Sequence, residues 1–349
     1  MPHPIGHDLL RRLPKAELHC HLDGSIRPST LLELGREHGV PMPVDDTVGL
    51  AEYMVVRDAR HLEDYLARFD VTLSVLQTAD ALERASFELA EDSADDGVRY
   101  LEVRYSPVLN VRHGLTLGEA VEAPLRGLER ARREYGIIGR VIICALRNLP
   151  PGMSLELAKL AVSYRDRGVV GFDLAGPEAA HPASEHAEAF AWAHAHDLAC
   201  TCHAGEGAGA ESLREAIHDC GAHRLGHGTR LIEDASLMRY VNDHRLPLEI
   251  CLTSNVQTRA VASYAAHPLR RYFDAGLPLA LCTDNRLMSG TTLSNEYAMA
   301  ALHLGFTFDE LCDIALASFE SCFLPVQERD ALVASVRRDI GDLIAEQAA

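Results

Sequence analysis

Two histidines one residue apart, His19-Cys20-His21, follow the run Ala16-Glu17-Leu18 near the start of the chain. In an extended strand alternate side chains share a face, so His19 and His21 project together and Cys20 projects to the other side. Two imidazoles side by side supply half of a zinc site. The pair alone carries little weight, because 18 histidines in 349 residues give roughly one His-x-His by chance. A second one, His194-Ala195-His196, lies in Ala-rich, helix-like sequence, where positions i and i+2 do not share a face. It reads as surface.

The elements around the first pair give it meaning. Eight short apolar segments read as strands: Ala16–His21, Val98–Tyr105, Gly139–Arg147, Val169–Ala175, Ala199–His203, Arg224–Gly228, Leu248–Ser254 and Leu279–Thr283. Amphipathic stretches such as Glu119–Tyr135, Leu155–Asp166, Ser184–His196, Leu213–Cys220 and Ser236–His244 lie between them. Strands alternating with helices imply parallel βαβ units, and eight such units predict a (β/α)8 barrel, an α/β fold. Residues 29–97 interrupt the pattern with helix-like runs at Ser29–His38, Leu62–Leu76 and Ala81–Ala94, read as helices inserted after the first strand. The chain from Leu293 onward is again helical and acidic, without evident chemistry. With no linker or repeat, residues 1–349 read as one barrel domain.

Almost every expected strand ends in polar groups. The first gives His19, His21 and Asp23-Gly24, the fourth Asp173 and Gly176, the fifth His203 and Glu206, and the sixth His227. The seventh gives Thr253-Ser254-Asn255 and the eighth Asp284-Asn285. C-terminal strand ends converge on one mouth of a barrel, where such folds place their sites. His203 alone is as readily a buried histidine bonded to backbone, and Asp284 alone a helix cap. At the ends of strands one, five and eight, His19, His21, His203 and Asp284 together form a His3Asp set suited to one Zn2+ with a bound water. Glu206, three residues past His203, is placed to donate a proton from a buried carboxyl. His227, between two glycines, is free to face the metal water.

Composition narrows the classes. The apolar fraction of 47% and charged fraction of 24% are those of an ordinary globular protein. A net charge of −18 argues against nucleic acid or an anionic membrane surface as partner. No apolar run approaches a membrane span, and the first residues lack the order of a signal peptide. Nine cysteines, several inside apolar runs, suit buried reduced thiols, so a cytoplasmic location is expected. The two lysines are Lys15 and Lys159. Neither lies on the fourth strand, where a two-metal hydrolase needs a carbamylated lysine.

Six stretches together resemble the adenosine deaminase family of the amidohydrolase superfamily. They are Pro14-Lys-Ala-Glu-Leu-His-Cys-His-Leu-Asp-Gly-Ser25, Gly171-Phe-Asp-Leu-Ala-Gly176, His203-Ala-Gly-Glu206, Arg224-Leu-Gly-His-Gly-Thr229, Leu252-Thr-Ser-Asn255, and the run from Cys282-Thr-Asp-Asn to Tyr297. They occur in the family's order over roughly Leu13 to Tyr297. The resemblance implies one Zn2+ per subunit, held by His19, His21, His203 and Asp284, acidifying its water so that hydroxide exists near neutral pH. It further implies that His227 orients or deprotonates that water, Asp284 shares its proton, and Glu206 protonates purine N1 as C6 is attacked and ammonia leaves. By the same resemblance His21, Asp23, Gly176 and Asn285 contact the substrate: Gly176 through its backbone at N3, Asp23 at the ribose hydroxyls, and Asn285 at N7.

Many relatives carry a second Asp where this chain has Asn285. An Asp must be protonated to meet unprotonated N7, whereas an amide donates directly. The implied substrate is a small-molecule 6-aminopurine nucleoside, adenosine or 2′-deoxyadenosine, in purine salvage. The alternatives are aminodeoxyfutalosine, adenine or another modified adenosine. A cytidine-deaminase-type zinc fold is disfavoured because no Pro-Cys-x-x-Cys follows a His-x-Glu. A vestigial scaffold barrel would be expected to have lost Glu206 or His227, and both are present.

Overall fold

The computed structural model describes residues 5–56, 65–66 and 68–348. Eight parallel strands form one sheet in the order β1 to β8. They are β1 Lys15–His21, β2 Val98–Tyr105, β3 Ile138–Leu146, β4 Val169–Ala175, β5 Ala199–Ala204, β6 Arg224–His227, β7 Leu248–Ile250 and β8 Leu279–Leu281. The ring closes just past β8, where Cys20 pairs with Asp284: the His21 N–H donates to Asp284 O at 2.7 Å and the Asp284 N–H to His19 O at 2.9 Å. Closure therefore places Asp284 between the two histidines of β1. This is the expected (β/α)8 barrel.

Helices lie between successive strands, and their ends are set by local chemistry. Leu117–Tyr135 starts with a reciprocal cap between Thr116 and Glu119 and stops at Gly136 with φ 75°, a left-handed turn that glycine adopts without strain. Between β1 and β2, helices Pro28–His38 and Ala79–Asp95 fall on the expected Ser29–His38 and Ala81–Ala94, and Thr47–Met54 is a further helix that was not expected. The expected helix over Leu62–Leu76 lies partly outside the described residues, and within them Phe69–Leu73 is helical. Leu293–Leu304, Phe308–Glu320 and Val326–Ala348 form the helical C-terminal part.

Two expectations shift. β7 ends at Ile250, and Leu252–Gln257 is a short helix rather than a strand running to Ser254. The carboxylate of Glu296 accepts the free N–H of Thr253 at 3.0 Å in the first turn of that helix, a contact 43 residues distant. β8 likewise stops at Leu281, short of Thr283. The second His-x-His does not converge: His194 Nε2 donates to Cys220 O and His196 Nδ1 to Trp192 O. All nine cysteines are buried with free thiols, as their apolar context predicts. No helix among the described residues is long and apolar enough to cross a membrane.

Candidate active site

The barrel gathers His19 and His21 from β1, His203 from β5 and Asp284 beyond β8, with ligand atoms all within 4.8 Å of one another. His21 Nε2 lies 3.2 Å from His203 Nε2, and Asp284 Oδ1 lies 3.4 Å from the Nε2 atoms of both His19 and His21. Behind the rings the arrangement is equally specific. His19 Nδ1–H donates to Glu249 Oε2 at 3.0 Å, and His203 Nδ1–H donates to Asp173 Oδ1 at 3.1 Å. A carboxylate can only accept here, so both neutral rings carry their proton on Nδ1 and present bare Nε2 atoms to the site. His19 Nε2 is buried and has no hydrogen-bond partner. An orphaned lone pair beside a carboxylate and two more imidazoles fits a divalent cation, and the His3Asp donor set is one that Zn2+ accepts.

Asp173 and Glu249 are themselves clamped. Arg104 Nη1 lies 3.0 Å from Asp173 and Nη2 lies 2.9 Å from Glu249, while Nη2 also donates to Leu18 O. Below them Arg224 joins Glu249 at 2.7 Å to Glu102. None of these five side chains is more than 1% exposed. Burial alone would push the Glu249 carboxyl up, but Arg104 and Arg224 outweigh it and hold it well below the ordinary range. The barrel interior under the site is thus an ion-pair stack that fixes two imidazole orientations.

Glu206 and His227 adjoin the ring. Glu206 Oε2 lies 3.5 Å from His227 Nε2, and Glu206, His227 and Asp284 form a second cluster within 4.8 Å. Glu206 is buried, and that burial is the main cause raising its carboxyl above the usual range; the His227 ring opposes it. Its loop is anchored by Glu178, whose carboxylate accepts the three consecutive N–H groups of Gly205, Glu206 and Gly207 at 2.6, 2.9 and 2.6 Å. His227 has φ 62° and Asp284 φ 61°. Left-handed backbone at non-glycine residues costs on the order of 1–3 kcal/mol each and concentrates at functional sites. Room for the rings depends on Gly226, where a Cβ would stand 3.1 Å from His203 Cα and 3.2 Å from His19 Cε1.

His21, His203, Glu206, His227 and Asp284 face a cavity of about 40 Å³, far below the ~300–1,000 Å³ typical of small-molecule sites. Gly176 and Asn285 lie on its wall, and Tyr65, Leu66 and Phe69 give it an apolar side. Larger open clefts of about 710, 740 and 740 Å³ contain none of His19, His21, His203, Glu206, His227 or Asp284; chemistry, not size, selects the smaller one. Asn285 packs against Gly24, where a Cβ would fall 1.7 Å from its Oδ1. Asp23 is buried, with Oδ1 unpartnered. It does not itself line the cavity among the described residues.

The structure brings His19, His21, His203, Glu206, His227 and Asp284 together with Gly176 and Asn285 on the cavity wall, whereas Asp23 lies off that wall and Asp173 stands behind His203. Reasoning from sequence missed the groups behind them: Arg104, Glu249, Glu178 and the roles of Asp173 and Asn255. Charged residues inside apolar strands, as Arg104 in β2 and Glu249 in β7, were the available signal. For Glu178 there was none.

Comparison with known proteins agrees with this geometry. The family model described as adenosine deaminase matches residues 14–339. The chain is 42% identical to adenosine deaminase 1 of Streptomyces coelicolor, over 94% of this chain and 87% of that one. It is 43% identical to a probable adenosine deaminase of Dictyostelium discoideum over 91% of this chain, which spans only 41% of that longer protein. Among solved structures, an adenine deaminase of Arthrobacter aurescens superposes with TM-score 0.88 at 25% identity, over 94% of this chain and 99% of that one. The N6-methyl-AMP deaminase of Arabidopsis thaliana gives 0.83 at 32%, over 95% and 98%. The match spans nearly the whole barrel and includes all six of the strand-end motifs, so the chain belongs to the adenosine deaminase family of hydrolases, which act on the C–N bond of an amidine.

Proposed function

We propose that this chain hydrolyses the 6-amino group of adenosine and 2′-deoxyadenosine, releasing ammonia, with one Zn2+ held by His19, His21, His203 and Asp284. The observation that carries the reading is the convergence of that ring with Glu206 and His227 on one small cavity. Bound there, Zn2+ supplies an acidified water near neutral pH. Glu206, whose carboxyl burial raises above its usual range, donates a proton to purine N1, so that the ring takes up electrons without becoming an anion. Glu178 holds the Glu206 backbone in place through this step. With Zn2+ bound, His227 and Asp284 would flank its water, within reach of its proton. Gly176 meets N3 through its backbone, Asn285 meets N7, and His21 lines the same wall. The unpartnered Asp23 carboxyl accepts from the ribose hydroxyls. The reaction so placed serves purine salvage in the cytoplasm.

The relatives' names span adenosine, adenine and N6-methyl-AMP as substrates. The described cavity wall carries no Lys or Arg, which favours a nucleoside over a phosphate monoester. The buried Asp23 favours a sugar-bearing substrate over the free base. Ammonia release from zinc-replete protein should be measured in parallel on adenosine, 2′-deoxyadenosine, adenine, N6-methyl-AMP and aminodeoxyfutalosine. We expect kcat/KM above about 10⁴ M⁻¹s⁻¹ on the first two. Faster turnover of any of the others would move the substrate while keeping the chemistry.

A further inference from the structure

Behind His227 stands neither a carboxylate nor a carbonyl but a chain of three polar groups. The Leu269 N–H, free in the first turn of the Leu269–Asp274 helix, donates to His267 Nδ1 at 3.1 Å. His267 Nε2 lies 3.2 Å from Asn255 Oδ1, and Asn255 Nδ2 lies 2.9 Å from His227 Nδ1. His267, Asn255 and His227 are 4%, 0% and 1% exposed, so no solvent alternative competes.

One backbone group fixes the whole series. A peptide N–H can only donate, so His267 Nδ1 must be bare, and burial keeps this ring neutral by pushing its pKa down to about 3. A neutral ring with a bare Nδ1 carries its proton on Nε2. That proton requires an oxygen opposite, which orients the Asn255 amide with its NH2 toward His227. Nδ1 of His227 is then an acceptor, and the neutral ring carries its proton on Nε2, the atom that faces Glu206. His19 and His203, backed by carboxylates, are held in the opposite tautomer.

We propose that Asn255 and His267 are positioning residues that lock His227 as its Nε2–H tautomer, making it a hydrogen-bond donor to the attacking water rather than the base that deprotonates it. The Asp284 carboxylate then remains as the acceptor for the water's proton. The tautomer follows from the hydrogen bonds alone; its catalytic meaning rests on the deaminase reading above.

The test is ¹⁵N NMR of the zinc-loaded full chain labelled in its histidine rings, with His227 assigned by loss of its signals in His227→Gln. A bare Nδ1 and a protonated Nε2 are expected. The reverse assignment overturns the proposal, whatever the protein turns over and whether or not any variant folds. Asn255→Asp offers acceptors to both neighbours, so it should move the His227 proton to Nδ1 and lower kcat about 10- to 100-fold with KM nearly unchanged. His267→Phe should do the same to kcat. His267→Gln can accept from Leu269 and donate to Asn255 at once, and should restore kcat to within about threefold of the parent. A His267→Phe protein with unaltered His227 nitrogen signals and unaltered kcat would refute the relay. Absence of turnover on any aminopurine, with the expected nitrogen signals intact, would instead refute the proposed function and leave the tautomer assignment standing.

Discussion

The two halves of the barrel solve the same positioning problem differently. β1 to β4 run seven, eight, nine and seven residues, whereas β5 to β8 run six, four, three and three. In the first half the candidate ligands His19 and His21 sit within β1, whose pairing with β2 shifts register between Glu17 and Cys20. In the second half the chain leaves the sheet early. His227 and Asp284 project from left-handed backbone, and Thr253, Ser254 and Asn255 lie on a helical turn where consecutive side chains diverge. They reach Glu296, Asp284 and His227 respectively. Strand residues, His19 and His21 on β1 and His203 on β5, converge three imidazoles on one point. Distributing donors and acids around that point takes irregular backbone, held by contacts from distant segments.

The sharpest way to separate the two is Glu206→Gln. It removes the donor on the irregular side and leaves the His3Asp ring untouched. We expect kcat for adenosine to fall about 10²- to 10⁴-fold, the range for a lost general acid, with zinc content unchanged. Ammonia release and metal analysis on the same sample check both. Turnover near that of the parent would remove Glu206 from its role, and loss of zinc would show that the halves are not separable.

Arg104→Met attacks the ion pairs that join the two halves behind the imidazoles. Asp173 and Glu249 would be left buried without their shared cation, and breaking a buried ion pair from one side costs about 3–5 kcal/mol. Urea denaturation should show a loss of that order, and zinc should dissociate more readily, because the two carboxylates that orient His19 and His203 would lose their clamp. A loss under about 1 kcal/mol, within the range of an exposed pair, would show that Arg104 is not central to the stack.

What could be read from sequence follows that division only at its end. β1 to β6 were all predicted within one residue at either end, because parallel strands buried on both faces are continuous apolar runs. The ring His19, His21, His203 and Asp284 was legible because barrel topology turns distant strand ends into neighbours. The reading failed at Leu252–Ser254, where Leu252 and the β-branched Thr253 extend the apolar run of β7 but begin the helix Leu252–Gln257. The helical turn there is fixed by Glu296, from a segment that showed no chemistry in sequence. His267 and Glu178 were invisible for a related reason. Each acts only through hydrogen bonds to backbone or a side chain elsewhere in the chain, and a lone polar residue in a loop carries no period or spacing.

Glu296 also supplies the smallest and most discriminating test of how the irregular half is held. Its carboxylate accepts from the Thr253 N–H at 3.0 Å, the Thr253 hydroxyl at 2.5 Å and the Thr291 hydroxyl at 2.6 Å. Burial raises its pKa from 4.5 to about 6, more than these three bonds lower it. Between those values the native carboxyl keeps a proton that the unfolded chain has already released, so stability is full below pH 4.5 and declines as pH rises through 6. The decline is about 2 kcal/mol at 1.36 kcal/mol per pKa unit. Other buried carboxyls contribute slopes of their own, so the informative quantity is the difference between the parent and Glu296→Gln. Denaturation free energies at pH 4.5 and pH 7 should show the parent losing about 2 kcal/mol more than the variant over that interval. Equal losses would mean that Glu296 does not titrate in this window. The helical turn carrying Asn255 would then be anchored by a carboxylate ionised at both pH values.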